Sequence, residues 1–188
     1  QMGFGEEMDR ILKSVPKKKQ SILFSATLND KIDEIKSTLN IDPIVVEIKK
    51  QEIDLEQIEQ VAYKVDAETK GPFLRYLIKS ENLDQVLVFV SSTRTADNLV
   101  EKLKKNKISA MAIHSKKSQG ARMDNLEDFK LGDVKVLVAT DLIGRGIHIE
   151  GLPTVINYEL PRSPLDYVHR IGRTGRANAN GKAISLIT

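Results

Sequence analysis

The sequence predicts an open α/β domain, in which helices cover both faces of a parallel sheet. Residues 86–90 and 136–139 are continuous apolar runs, typical of strands that are buried on both faces. Stripes of apolar residues at helical spacing alternate with such runs, which is the pattern of a parallel sheet. A hydrophobic fraction of 40% in 188 residues supports one core, or one domain with part of another.

The pattern of residues 1–50 predicts a short α/β segment that is separate from the rest of the chain. An amphipathic helix at 6–15 ends at Pro16, and a short apolar strand follows at 21–24. Ile32, Ile35 and Leu39 recur at helical spacing, and residues 44–48 form another apolar run. The polar stretch at 49–57 breaks the periodicity, so we place a linker there and divide the chain into residues 1–50 and 51–188.

The pattern of residues 51–188 predicts the strands and helices of the parallel sheet domain. Helical stripes fall at residues 73–78, 96–103 and 123–129. Ser163 is expected to cap a further helix, with Pro164 at its first position. Strands are predicted at residues 61–65, 86–90, 108–113, 136–139, 155–158 and 183–187.

Composition excludes several classes of protein. There is no cysteine, which excludes disulfides and Cys-based zinc sites. The three histidines (His114, His148 and His169) are scattered, so no metal site is predicted. No apolar run approaches the ~20 residues of a membrane helix and no secretory signal is visible, so a cytoplasmic location and no membrane partner are expected. The net charge of +3 is too small to predict a nucleic-acid partner by itself.

Polar clusters follow three of the predicted strands, at residues 91–94, 114–117 and 140–141. Ligands of open parallel sheets gather beyond the carboxyl ends of the strands, so these clusters predict a binding edge. The alternative is that loops are polar in any protein. A Gly-Arg-Gly turn at 144–146 permits close backbone approach to a phosphate. Neither a dinucleotide motif nor a P-loop is present, so the main phosphate cradle of any nucleoside triphosphate must lie elsewhere.

Residues 169–176 read His-Arg-Ile-Gly-Arg-Thr-Gly-Arg, with arginines at 170, 173 and 176. Two glycines make a continued helix costly, so we expect a bend on which the guanidinium groups converge. Guanidinium grips phosphate bidentately, which predicts a polyphosphate site, with a solvated basic loop as the alternative. Five of the nine arginines fall in the last 44 residues of a lysine-biased chain, which indicates a need for the planar guanidinium fork rather than for charge alone.

With these residues in place, the chain resembles the DEAD-box family of ATP-dependent RNA helicases over essentially its whole length. Residues 25–27 (Ser-Ala-Thr) resemble motif III, and residues 89–92 with Arg94 resemble motif IV. Gln119 and Arg122 match the Gln-x-x-Arg element. Residues 140–146 resemble motif V, and residues 169–176 match motif VI at every position.

The resemblance implies a RecA-like C-terminal domain at 51–188, preceded at 1–50 by the end of a first RecA-like domain. ATP, with its Mg²⁺, would be held by that first domain, and no cofactor is expected to bind tightly to this chain. Arg173 and Arg176 would reach the γ-phosphate, with Arg173 as the arginine finger. His169 would join them in catalysis and, with Ser25 and Thr27, couple the two domains. Gly146 and His148 would contact the nucleotide. RNA backbone would be bound, largely independently of sequence, by Ser92, Arg94, Gln119, Arg122, Thr140 and Gly144.

The chain departs from the family pattern in motif V and in the loop after His114. Gly144 stands where the family usually has alanine, and His148 where an aspartate touches the ribose, which alters that contact. Ser115 and Lys116 replace a frequent Gly-Asp and make their loop more basic.

The Walker A loop, the Asp-Glu-Ala-Asp box and the adenine-reading glutamine motif are not found in these 188 residues. We therefore expect a fragment that neither hydrolyses ATP nor unwinds RNA alone. Residues 1–50 would either self-associate through exposed apolar faces or be disordered. Two other functions stay open: a non-catalytic RNA-binding or scaffold module, and a translocase acting on DNA. The complete set of motif VI arginines favours the helicase.

Overall fold

The computed structural model describes residues 5–16, 18–20, 22, 24, 44–46, 55–141, 149, 151–175 and 181–188. The chain forms two compact units, Gln1–Lys50 and Gln51–Thr188. In the first unit, helix α1 (Gly5–Ser14) lies where the sequence predicts one. Most of the predicted strand at 21–24 lies outside the described residues. The whole predicted helix from Ile32 to Leu39 also lies outside them. The origin of residues 1–50 in a first RecA-like domain stays a prediction.

The second unit alternates strands and helices. A 3-10 turn at Leu55–Gln57 occupies the end of the predicted linker. It leads into β1 (Ile58–Lys64), α2 (Lys70–Ser80), β2 (Val86–Val90), α3 (Thr93–Lys105), β3 (Ala110–Ile113), α4 (Gln119–Leu131), β4 (Val136–Thr140), β5 (Thr154–Asn157), α5 (Pro164–Ile171) and β6 (Gly181–Ile187). No helix in the described ranges is long and apolar enough to cross a bilayer.

The six strands form one parallel sheet in the order β1-β6-β5-β2-β4-β3. Strand β2 lies between β4 and β5, so Val88 pairs with Val138 on one side and with Ile156 on the other. This arrangement confirms the predicted open parallel α/β fold.

Alternate residues of the central strands point into two separate cores. Val88 and Val138 pack with Leu74 of α2 and Leu99 of α3 on one face of the sheet. Phe89 and Leu137 pack with Leu126 and Phe129 of α4 on the other. Every residue of β2 and β4 is buried, which explains why these strands read as continuous apolar runs.

Serines start three of the helices in the second unit. The Oγ of Ser92 accepts a hydrogen bond from Thr95 N at the start of α3, at 3.0 Å. Ser118 caps α4 and Ser163 caps α5 in the same way. Proline stands at the beginning of α5, as predicted. Each cap fixes where its helix begins: α3 starts three residues after the end of β2, and α4 starts six residues after the end of β3.

Candidate functional site at the carboxyl edge of the sheet

The three polar loops lie at one edge of the sheet. Strands β2, β3 and β4 are neighbours in the order β2-β4-β3, they run parallel, and Val90 of β2 pairs with Thr140 of β4. The loops at residues 91–94, 114–117 and 140–141 therefore leave the sheet on the same side. The predicted common edge is confirmed.

Four predicted RNA-binding residues lie at the starts of the helices on this edge. Ser92 and Arg94 are exposed at the beginning of α3, and Gln119 is exposed at the beginning of α4. Arg122 is half-buried, and its Nη2 donates a hydrogen bond to Gln119 Oε1. The Nε of Arg122 is buried, and no described residue accepts a hydrogen bond from it. This donor is the kind of group that a phosphate oxygen would satisfy.

Thr140 differs from the other predicted RNA contacts. It is the last residue of β4, and its exposure is only 6%. The side chain of Thr140 is therefore packed at the end of the strand and is not an exposed surface group.

A cluster around Asp97 occupies the space between α3 and the β3–α4 loop. Asp97 Oδ1 lies 3.1 Å from His114 Nε2 and 3.0 Å from Lys117 Nζ. Partial burial acts to raise the pKa of Asp97, but hydrogen bonds and charges from His114 and Lys117 prevail and lower it. His114 is only 1% exposed, so it is not a surface group of its loop as the polar-cluster interpretation implied. The residue directly follows β3 and its ring turns inward to Asp97.

The first three residues of the 169–176 motif belong to a helix, and the helix stops at the first glycine, as predicted, before a turn at residues 172–175. His169 and Arg170 belong to α5, which ends at Ile171 with Gly172 as the C-cap. His169 is exposed, whereas Arg170 is buried. The prediction that the arginines of this motif converge on one side is therefore wrong for Arg170, because the helix ends between Arg170 and Arg173.

Arg170 binds protein groups on every side. Its Nε and Nη2 donate to the two carboxylate oxygens of Asp141 at 2.6 and 2.8 Å. Its Nη1 donates to Asn157 Oδ1 at 3.0 Å and to the backbone carbonyl of Glu159 at 2.6 Å. The guanidinium also lies 5.0 Å from the centre of the Phe89 ring. Arg170 thus joins motif VI to the first residues of motif V and to the ends of β2 and β5.

The turn after α5 is held by small residues packed against the sheet. Thr174 is fully buried, and its hydroxyl donates to the carbonyl of Leu152. Gly175 has φ of +65°, and a Cβ there would lie 2.6 Å from Ile58 Cγ1. Only glycine fits such a position. Arg173 is half-buried on this anchored turn, and its backbone carbonyl accepts a hydrogen bond from Leu152 N.

Several predicted site residues lie outside the described ranges. These are Ser25, Thr27, Gly144, Gly146, His148 and Arg176. In the described parts of the chain, no group of three His, Asp or Glu side chains could hold a metal ion.

Residues 69–178 match the family model described as the helicase conserved C-terminal domain. The ATP-dependent RNA helicase RhlB of Pseudomonas aeruginosa is 41% identical over 187 residues, which cover 98% of this chain and 47% of RhlB. The chain spans about half the length of the curated relatives it matches.

Solved structures of DEAD-box proteins are also similar to this chain. The C-terminal domain of the DEAD-box protein Dbp5 is similar with a TM-score of 0.67 and 32% identity, covering 71% of this chain and 78% of that domain. Dbp5 of S. cerevisiae bound to RNA and ADP BeF3 aligns with all of this chain and 50% of its own, with a TM-score of 0.74 and 31% identity.

Proposed function

Because the chain belongs to the DEAD-box family of ATP-dependent RNA helicases, we propose that it supplies the RNA-backbone contacts and the arginine finger for local, ATP-dependent unwinding of RNA duplexes. The observation that carries this proposal is the Arg170–Asp141 pair. It ties the motif VI turn, where Arg173 lies, to the loop edge where the RNA-binding residues lie. The second unit would thus carry groups suited to two different phosphate ligands, joined by this ion pair.

On the RNA side, the contacts would go to sugar and phosphate. Ser92 and Arg94 begin α3 and Gln119 and Arg122 begin α4, so both helix N-termini face the same edge. Arg122 would donate its Nε, for which no described residue is an acceptor, to a phosphate oxygen. Contacts of this kind carry little sequence information, and they make binding sensitive to salt.

On the nucleotide side, ATP and its Mg²⁺ would be held by a P-loop domain, and this chain would act on the γ-phosphate from across the cleft. Arg173, with Arg176, would stabilise negative charge as the phosphoryl group leaves. His169 would link this turn to Ser25 and Thr27 of motif III. Gly146 and His148 would contact the nucleotide, with histidine donating to a ribose hydroxyl where the family has an aspartate.

The chain on its own would not turn over ATP, since its sequence contains neither a Walker A loop nor an Asp-Glu-Ala-Asp box. A second candidate is a non-catalytic RNA-binding or scaffold module. The anchored turn that carries Arg173 favours the helicase, because passive binding of RNA does not require an arginine at that point. Self-association through residues 1–50 is part of the proposal, because apolar side chains described there, such as Phe24 and Ile44, are exposed.

RNA binding tests the first half of the proposal. The 188-residue chain should bind single-stranded RNAs of unrelated sequence with similar affinity, and log K should fall with log salt, since about 0.7 counterions are released per phosphate contact on a single strand. Arg122→Ala should weaken binding about 10-fold, because a charge-assisted hydrogen bond is lost. Fluorescence anisotropy titrations at several salt concentrations would measure both effects.

Lys130→Ala is the matched control. Lys130 is an exposed cation near the carboxyl end of α4, the same helix that starts with Gln119 and carries Arg122. Its loss removes one positive charge from the opposite end of that helix and should leave affinity nearly unchanged. Equal losses of RNA affinity in Arg122→Ala and Lys130→Ala would contradict RNA binding at this edge of the sheet. Binding that does not weaken as the salt concentration rises would contradict it as well.

A further inference from the structure

Asp97 is a carboxylate on a surface that we assign to phosphate binding. It lies three residues after Arg94 on α3, which places it about 4.5 Å further along the helix axis. A negative charge so close to a phosphate site opposes RNA binding by Coulomb's law. The presence of Asp97 on this surface must therefore have a physical reason other than its charge.

The contacts of Asp97 supply such a reason. Its side chain is 49% exposed, yet one oxygen meets both His114 Nε2 and Lys117 Nζ. A carboxylate can only accept, so Nε2 of His114 is the donor in this contact. His114 is fixed because it is buried, and its backbone carbonyl accepts a hydrogen bond from Lys117 N at 3.1 Å. Lys117 is thus held at both its backbone and its side chain.

The loop that Asp97 fixes leads directly into the second RNA-binding element. Lys117 is followed by Ser118, the cap of α4, and then by Gln119. On the other side, Asn125 of α4 donates to the carbonyl of Ala112 in β3 at 2.9 Å, so the helix is tied to the same strand that ends before His114. Asp97 therefore joins α3 to the loop that ends at the start of α4.

We propose that Asp97 is a positioning residue for RNA binding: through His114 and Lys117 it holds the β3–α4 loop against α3, so that Ser92 and Arg94 form one phosphate-binding surface with Gln119 and Arg122. The proposal rests on the proposed RNA-binding function of this edge. It differs from a role in stability, which would change unfolding without changing the affinity of the folded protein.

The direction in which Asp97→Asn changes the RNA affinity distinguishes a positioning role from a simple effect of charge. Asp97→Asn in the 188-residue chain removes a negative charge, which by electrostatics alone should strengthen RNA binding. Loss of the bridge should instead weaken it about 5-fold, since residues within one charge network couple by 0.5–3 kcal/mol. Glu101→Gln removes the same charge from the same helix, where Glu101 forms an exposed pair with Lys105 at 2.7 Å. This control should bind as tightly as the wild type or slightly more tightly.

Two further measurements exclude a loss of folding. Urea titrations establish that each variant is folded under the binding conditions, and hydrogen exchange at the Lys117 amide, which is bonded to His114 in the structure, should become faster in Asp97→Asn. In the background Lys117→Met, Asp97 keeps only its contact with His114, so adding Asp97→Asn should reduce the RNA affinity by less than it does in the wild-type chain.

Each outcome has a distinct meaning. Equal or tighter binding by Asp97→Asn, or additive effects in the Lys117→Met background, would overturn the positioning role while RNA binding itself stands. A wild-type chain without salt-dependent RNA binding would overturn the proposed function, and the positioning role with it.

Discussion

Replacing Arg173 by alanine should lower kcat for RNA-stimulated ATP hydrolysis by about 10³-fold, the low end of what an arginine finger contributes. The measurement requires a protein in which a P-loop domain precedes this chain. Arg173 follows the C-cap of α5 on a turn fixed by buried Thr174 and by Gly175, so the loss of its side chain should leave the backbone in place. The affinity for RNA should therefore stay within about 2-fold of the wild type.

Arg162→Ala is the control for this experiment. Arg162 is an exposed arginine in the loop between β5 and α5, so its removal changes the net charge equally. It should leave kcat nearly unchanged. If Arg162→Ala and Arg173→Ala reduced turnover alike, or if Arg173→Ala reduced only RNA affinity, Arg173 would be a general basic contact and not a finger.

Replacing Asp141 by alanine should lower the free energy of unfolding by about 3 kcal/mol, because it leaves a buried guanidinium without its counter-ion. The side chain of Arg170 is 3% exposed, and that of Asp141 is 40% exposed. Without Asp141, Arg170 would retain Asn157 and the Glu159 carbonyl, which are neutral acceptors. Urea unfolding followed by circular dichroism would measure the loss.

Asp84→Ala provides the comparison. Asp84 pairs with Lys135 at 2.5 Å, and both side chains are at least half exposed. Exposed pairs contribute roughly 0–1 kcal/mol, so this substitution should shift the transition little. Similar losses from the two variants would mean that the Arg170–Asp141 pair behaves as a surface pair and does not hold motifs V and VI together.

The strands and helices of the second unit could be predicted from the sequence because their apolar patterns are regular. Residues 86–90 and 136–139 are apolar at every position, and the structure buries both faces of these strands. Ser163 and Pro164 marked the start of α5 by local chemistry alone. The parallel topology then brought the three polar loops to one edge.

The individual contacts of the site could not be predicted in this way. Arg170 and Arg173 are equivalent by residue type and spacing, and they differ because α5 ends between them. Arg170 pairs with Asp141 across 29 residues, and His114 pairs with Asp97 across 17. No local pattern links residues so far apart, because the contacts depend on how the loops meet at the sheet edge.

The most direct test of the account compares ATP hydrolysis by the 188-residue chain with hydrolysis by a protein that joins a P-loop domain to it, each with and without RNA. We predict no turnover above background by the chain alone, and turnover that RNA stimulates in the joined protein. RNA-stimulated hydrolysis by the chain alone would contradict the claim that its arginines act on a nucleotide held by another domain.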